Sequence, residues 1–214
     1  MIVLIVKGIL DVNVISRGNS NVELLTGCGG SPLPSLAAIT SGPVTLRRRN
    51  TAVHVNLEST EGGECIEQTL SVGRDVAQRL MLRNLRRYRV VFNTETRVMR
   101  LFRKPVTRVR LFLGVGTQVV EDREAPNPKI ITIQDDQIFI SAIGQVALGI
   151  IRDRLLLKHG LASKSLRILR GQDIFIDPFI QVTPRTAKQL GLTEGNVFME
   201  FNQNTSILRI NPGK

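Results

Sequence analysis

Val72–Leu82 reads VGRDVAQRLML and Val182–Leu192 reads VTPRTAKQLGL; Val, Ala and two Leu coincide. A second matching segment follows each: Phe92–Leu101 (FNTETRVMRL) and Phe201–Ile210 (FNQNTSILRI), which share Phe, Asn, Thr and Arg. Eight identities in 21 positions, with Val/Ile, Met/Leu and Leu/Ile exchanges beside them, mark an internal duplication, and the connecting loops differ by one residue. Each copy reads strand, short helix, strand, turn, strand. In the second copy Thr183 is placed to cap the helix, Pro184 suits its first turn, and Gly191 supplies a left-handed exit. The first copy has Met81 where the second has Gly191, so its exit needs another left-handed residue, for which Asn84 is the candidate.

Working outward, residues 1–60 read as a β region of short β-branched runs: Met1–Val6, Val12–Ser16, Val22–Leu25 and Thr51–Leu57. Residues 61–116 hold the first ββαβ-like unit, and the acidic, Pro-containing segment 117–128 reads as a linker. Residues 129–214 hold strands at Lys129–Ile133 and around Ile138, one longer helix over Ser141–His159, and the second ββαβ-like unit. That helix is expected because Ile143, Val146, Ala147 and Ile150 recur at helical spacing. The fold class is mostly β (α+β), with the two units joining as a pseudo-symmetric, double-psi-like barrel.

A strand followed by Thr183-Pro184, Ala187, Leu190-Gly191-Leu192 and Gly195, then an amphipathic hairpin, resembles the ββαβ halves of double-psi barrels and the related swapped-hairpin fold of AbrB-type regulators. The duplication also resembles the N-terminal region of the YheC/YheD endospore coat-associated proteins, whose unit closes on a sequence like Leu208-Arg-Ile-Asn-Pro-Gly213. The resemblance covers about 35 residues per copy. It implies a spore-coat or spore-surface location and a structural role. The ATP-grasp-like domain that follows in that family has no counterpart in this sequence, so nucleotide chemistry is not carried over.

Net charge is +11. Arg outnumbers Lys 22 to 7, a choice that suits bidentate binding of carboxylate or phosphate. The excess is lopsided: residues 1–110 hold 17 basic against 8 acidic side chains, and residues 111–214 hold 12 against 10. Its densest part runs from Arg83 to Arg110. Arg83, Arg86, Arg87, Arg89, Arg97, Arg100, Arg103, Lys104, Arg108 and Arg110 stand there against Glu95 alone. Strand alternation is expected to set these cations on one solvent face, with Tyr88, Phe102, Val109 and Leu111 turned inward. Such a face suits an acidic protein, a like subunit or nucleic acid.

Catalytic machinery is not expected. The two histidines, His54 and His159, are far apart; His54 reads as a solvent-facing strand residue and His159 as a helix-end residue. Asp135-Asp136 reads as a turn, and Thr26–Ser31 is Gly-rich without the Lys-Ser/Thr of a P-loop. An enzyme would need a pocket lined by Asp135, Asp173 or Asp177. Cys28 and Cys65 are either free thiols or one disulfide; two cysteines do not make a zinc site alone. No cofactor, metal or small-molecule substrate is expected. The N-terminal apolar run is too short for a signal peptide, and the uncharged stretch Gln137–Ile151 too short for a membrane helix, so a cytoplasmic location is expected. The reading is a non-catalytic interaction module that docks an acidic partner or itself; the alternative is an AbrB-like DNA-binding regulator.

Overall fold

A computed structural model describes residues 4–16, 20–27, 31–61, 66–121, 126–173 and 177–211. Cys28 and Cys65, and Pro212-Gly213 of the closing motif, lie outside the described residues. The chain divides into two compact units, Met1–Pro105 and Val106–Lys214, and each contains its own closed seven-stranded barrel.

The first barrel is built from β1 (Ile5–Ile15), β2 (Asn21–Thr26), β3 (Gly42–Arg48), β4 (Thr51–Glu61), β5 (Thr69–Gly73), helix α1 (Arg74–Arg79), β6 (Arg86–Asn93) and β7 (Val98–Arg103). Its strands close in the order β1-β5-β2-β4-β3-β7-β6. Period-2 alternation explains the interior: Leu10, Val12, Leu46, Val53, Val55, Leu57, Val90, Phe92, Met99 and Leu101 all point inward and share one core. Residues 31–41 cross to β3 and insert Leu36 and Ile39 into that core. Gly8 of β1 is required there, because a Cβ would meet the Pro34 carbonyl at 2.9 Å as well as the Leu36 side chain. Gln68 ties the crossing down: its Oε1 accepts from Leu36 N–H, and its Nε2 donates to the carbonyls of Ile9 and Pro34.

The second unit contains β8 (Val106–Val115), β9 (Gln118–Glu121), β10 (Lys129–Thr132), β11 (Gln137–Ile140), α2 (Ala142–Leu148), β12 (Arg154–His159), β13 (Ala162–Arg170), β14 (Phe179–Val182), α3 (Pro184–Leu190), β15 (Gly195–Asn202) and β16 (Ile207–Asn211). Its barrel closes as β11-β13-β12-β16-β15-β8-β14, with β9 and β10 forming a separate hairpin. Every strand pairing of the first barrel has a counterpart here. The parallel pairs β1·β5, β2·β4 and β3·β7 match β8·β14, β11·β13 and β12·β16. The antiparallel pairs β1·β6, β2·β5, β3·β4 and β6·β7 match β8·β15, β11·β14, β12·β13 and β15·β16.

Several features differ from the sequence expectations. The matching stretches do not share a barrel; each belongs to its own. Residues 1–60 are not a separate region, since β1 to β4 are members of the first barrel. The division falls at Pro105, not within 117–128, which opens with β9 paired to β10 beyond it. Of the expected strand Met1–Val6, Met1–Val3 lie outside the described residues; its Ile5-Val6 end and Val12–Ile15 are not two strands but parts of one long β1, Ile5–Ile15. The helix expected over Ser141–His159 is only Ala142–Leu148. Ser141 caps it, Gly149 ends it in the left-handed conformation (φ 73°), and Leu155 and Leu157 then alternate into the core from β12.

Turn chemistry follows the sequence in α3 and departs from it in α1. Thr183 Oγ1 accepts from Thr186 N–H, Pro184 opens the helix, and Gly191 adopts φ 66°. In the first unit Met81 itself takes the left-handed conformation (φ 50°), and Leu85 (φ 51°) absorbs the extra loop residue. Asn84 is not left-handed; its Oδ1 accepts from Val14 N–H on β1.

Candidate acidic-partner interface

The basic stretch does not form one face. Arg87 is wholly buried: Nε donates to Asp11 Oδ1 at 3.2 Å and Nη2 to Oδ2 at 2.8 Å, a bidentate pair between adjacent residues of β1 and β6. Arg97 sits at φ 53° and donates to the Pro43, Thr40 and Ser41 carbonyls and to Thr40 Oγ1, fastening the entry to β3 while lying over Phe92. Arg83, Arg86 and Arg103 stand at one end of the first barrel around Tyr88. Burial, together with the neighbouring Arg86, Arg83 and Arg48 charges, holds the Arg103 guanidinium below its ordinary pKa. Lys104 lies just past β7 and donates its N–H to the Arg87 carbonyl. Arg108 and Arg110 are on β8 of the second unit; Arg108 pairs with Glu200 at 2.7 Å and Arg110 lies over Phe198. Arg89 and Arg100 do occupy an outer barrel face, as the alternation predicts.

That face gains two cations the sequence reading missed. Register places Lys7 beside Val91, Val91 beside Arg100, and Arg100 beside Arg47. Strands lie about 4.8 Å apart, so Lys7 to Arg47 spans roughly 14 Å straight across β1, β6, β7 and β3. All three are exposed. In the adjoining row Arg89 lies over Phe102, its guanidinium 4.9 Å from the ring centroid, and Phe102 keeps 42% of its surface exposed. The signal for Arg47 was the Arg47-Arg48-Arg49 run, which is visible as a cationic patch only once β3 is recognised as a strand beside β7.

The second barrel shows what the same row looks like with a carboxylate among its three cations. Arg108, Glu200, Arg209 and Lys158 occupy the positions of Lys7, Val91, Arg100 and Arg47. Glu200 receives Arg108 on one oxygen and Arg209, at 3.4 Å, on the other. The first barrel keeps the flanking cations and puts Val91 in the carboxylate's place.

The remaining candidates have structural settings. His54 is exposed on β4, its Nδ1 2.9 Å from Thr45 Oγ1. His159 is on a strand, not at the end of its own helix. Its Nδ1 donates to the Leu190 carbonyl at the end of α3, as Arg48 in the matching position of the first barrel donates to the Leu80 carbonyl. Asp135 accepts from Thr183 Oγ1 at 2.6 Å and from Arg185; the Thr183 bond, ahead of the Arg185 charge, holds its carboxyl below the usual value despite some desolvation. The Asp135 carboxylate is thus occupied in anchoring α3. Glu121, buried on β9, accepts from Gln172 N–H. Asp173 and Asp177 sit apart from Asp135 in sequence, on the segment before β14. Among the described residues no three His, Cys, Asp or Glu side chains gather as metal ligands, and no helix is long and apolar enough to cross a membrane. No family model, curated protein or solved structure matches the chain.

Proposed function

We propose that the chain is a non-catalytic interaction module whose first barrel docks an acidic protein surface through the outer face of β1, β6, β7 and β3. One observation carries this: the row Lys7, Val91, Arg100, Arg47 keeps three exposed cations around an apolar residue, where the matching row of the second barrel has its carboxylate. A solvated barrel face needs no such bias, and the second barrel folds with a carboxylate at the centre of its row. The exposed Phe102, stacked under Arg89, adds an apolar contact beside the cations, a mixture that suits a protein partner. Docking of a second copy on this face is disfavoured, because residues 1–105 carry 15 basic against 8 acidic side chains.

The matched pairings support reading each unit as a copy of one double-psi-like barrel, with the quoted ββαβ stretches as its closing half. On that reading, and on the resemblance to coat-associated proteins of spore formers, the module holds an assembly together without transforming a substrate.

The second reading is a DNA-binding regulator that uses the same cations on phosphates; the Arg-dominated row favours it. Fluorescence anisotropy with labelled polyglutamate and with a labelled duplex decides between them. Polyglutamate binding that weakens with salt and is lost in Arg47→Gln/Arg100→Gln supports protein docking. Preference for the duplex, with a log–log salt slope near −0.9 per phosphate contact, supports the regulator. Absence of both at about 50 mM salt removes the proposal.

A further inference from the structure

The β9–β10 hairpin is an addition that the first barrel does without. Residues 16–20 alone join β1 to β2, whereas 116–136 join β8 to β11 and carry the hairpin. Register puts Glu23 and Glu58, both exposed, where the second barrel has Phe139 and Leu169. There Val119, Ile131 and Ile133 of the hairpin segment share one apolar cluster with Phe139, Leu169 and Phe179. Polar contacts fix the hairpin in place. Glu121 Oε1 accepts from Gln172 N–H at 2.8 Å, and Gln181 Nε2 donates to the Gln118 carbonyl at 2.9 Å.

These contacts hold the β9 side, and β10 is left as an open edge. Ile133 N–H donates to the Thr117 carbonyl, so in this register Ile131 and Lys129 also turn their main-chain groups toward β9. Ile130 and Thr132 turn theirs away, and among the described residues no group bonds to them. Neither position carries the charge or proline that guards an edge: Ile130 keeps 61% of its surface exposed, and Thr132 is exposed beside it. We infer that β10 pairs antiparallel with β10 of a second copy about a two-fold at Ile131, joining two hairpins into one four-stranded sheet. The strand is its own complement. Ile130 of each copy then stands opposite Thr132 of the other, and each such pair exchanges both of its N–H···O bonds. Charge agrees with this alignment. Lys129, 58% exposed at the start of β10, comes alongside the Asp135-Asp136 turn that follows β10 in the other copy, where Asp136 is exposed. Pro126 and Pro128 stop the edge upstream and keep the contact short. The contact belongs to the second unit and does not rest on docking through the first barrel.

Light scattering and amide exchange on the full chain test this, under reducing conditions so that Cys28 and Cys65 cannot link copies. A short edge contact is weak, so the inference expects monomer at about 10 μM and dimer at about 0.5 mM. The Ile130 and Thr132 amides should exchange about tenfold more slowly in the dimer, while the Ile131 amide, bonded to β9, stays slow in both states. Ile130→Pro deletes an N–H that β9 does not use, and Ile130→Lys sets like charges across the seam. Each should weaken dimerisation about tenfold with Ile131 still protected. Arg100→Gln, on the first barrel, should leave dimerisation unchanged. A chain that stays monomeric at about 0.5 mM overturns the inference. So does a dimer that forms equally well in both Ile130 variants, one that leaves the Ile130 and Thr132 amides unprotected, or one lost in Arg100→Gln.

Discussion

Arg87 and Asp11 offer the sharpest energetic test, because their exposures are unequal. The guanidinium is wholly buried and the Asp11 side chain keeps 26% of its surface. Replacing Arg87 by Met keeps much of the buried stem and leaves a carboxylate that water reaches, so the cost is about 1–2 kcal/mol. Replacing Asp11 by Asn strips the charge partner from a buried guanidinium, which costs about 3–5 kcal/mol. Tyr88 fluorescence follows unfolding of the first barrel in urea. With an m-value of about 1.5–2 kcal/mol/M, Asp11→Asn lowers the midpoint by roughly 2 M and Arg87→Met by about 0.5–1.3 M. The double variant recovers most of the Asp11→Asn loss, since the buried charge is gone. Equal single effects, or strictly additive ones, would refute the reasoning. The same logic predicts that reversing Arg86, Arg87 and Arg89 together unfolds the barrel, so that block is no probe of binding.

Other outcomes follow from local geometry. Met81→Gly relieves a left-handed non-glycine residue that is 53% exposed, and raises first-barrel stability by about 1 kcal/mol in the same urea assay. Gly8→Ala drives a Cβ into the Pro34 carbonyl and Leu36, and costs about 1–3 kcal/mol. Asp135 has a depressed folded-state pKa, so its contribution is present above the unfolded value near 3.8 and is lost as pH falls through the lower folded value. Asp135→Asn therefore flattens the acid limb of second-barrel stability below that pH, measured by circular dichroism; an unchanged acid limb would discount the Thr183 bond.

The sequence was most legible where local chemistry decides structure. Thr183, Pro184 and Gly191 delimit α3 whatever surrounds them, and the Phe92 and Phe201 hairpins carry their own turns. It was least legible where distant pairing decides. Ile143, Val146, Ala147 and Ile150 satisfy a helical period, yet Gly149 stops the helix and parallel pairing with β16 draws Arg154–His159 into a strand. β3 was hidden because its Leu46-Arg47-Arg48 alternation is short and gains meaning only beside β7. For the same reason the basic stretch reads, from sequence alone, as one face. Alternation separates Arg89 from Tyr88 correctly, but it says nothing of Asp11, which waits on a strand 76 positions away to take Arg87 inside.

The docking account rests most directly on the difference between Val91 and Glu200. Val91→Glu builds into the first barrel the carboxylate that pairs two cations in the second, and it alters one partly exposed side chain on the outer face. Anisotropy with labelled polyglutamate at about 50 mM salt should show affinity falling at least tenfold in Val91→Glu, with the Tyr88 urea midpoint unchanged. Wild-type affinity in Val91→Glu would contradict the account.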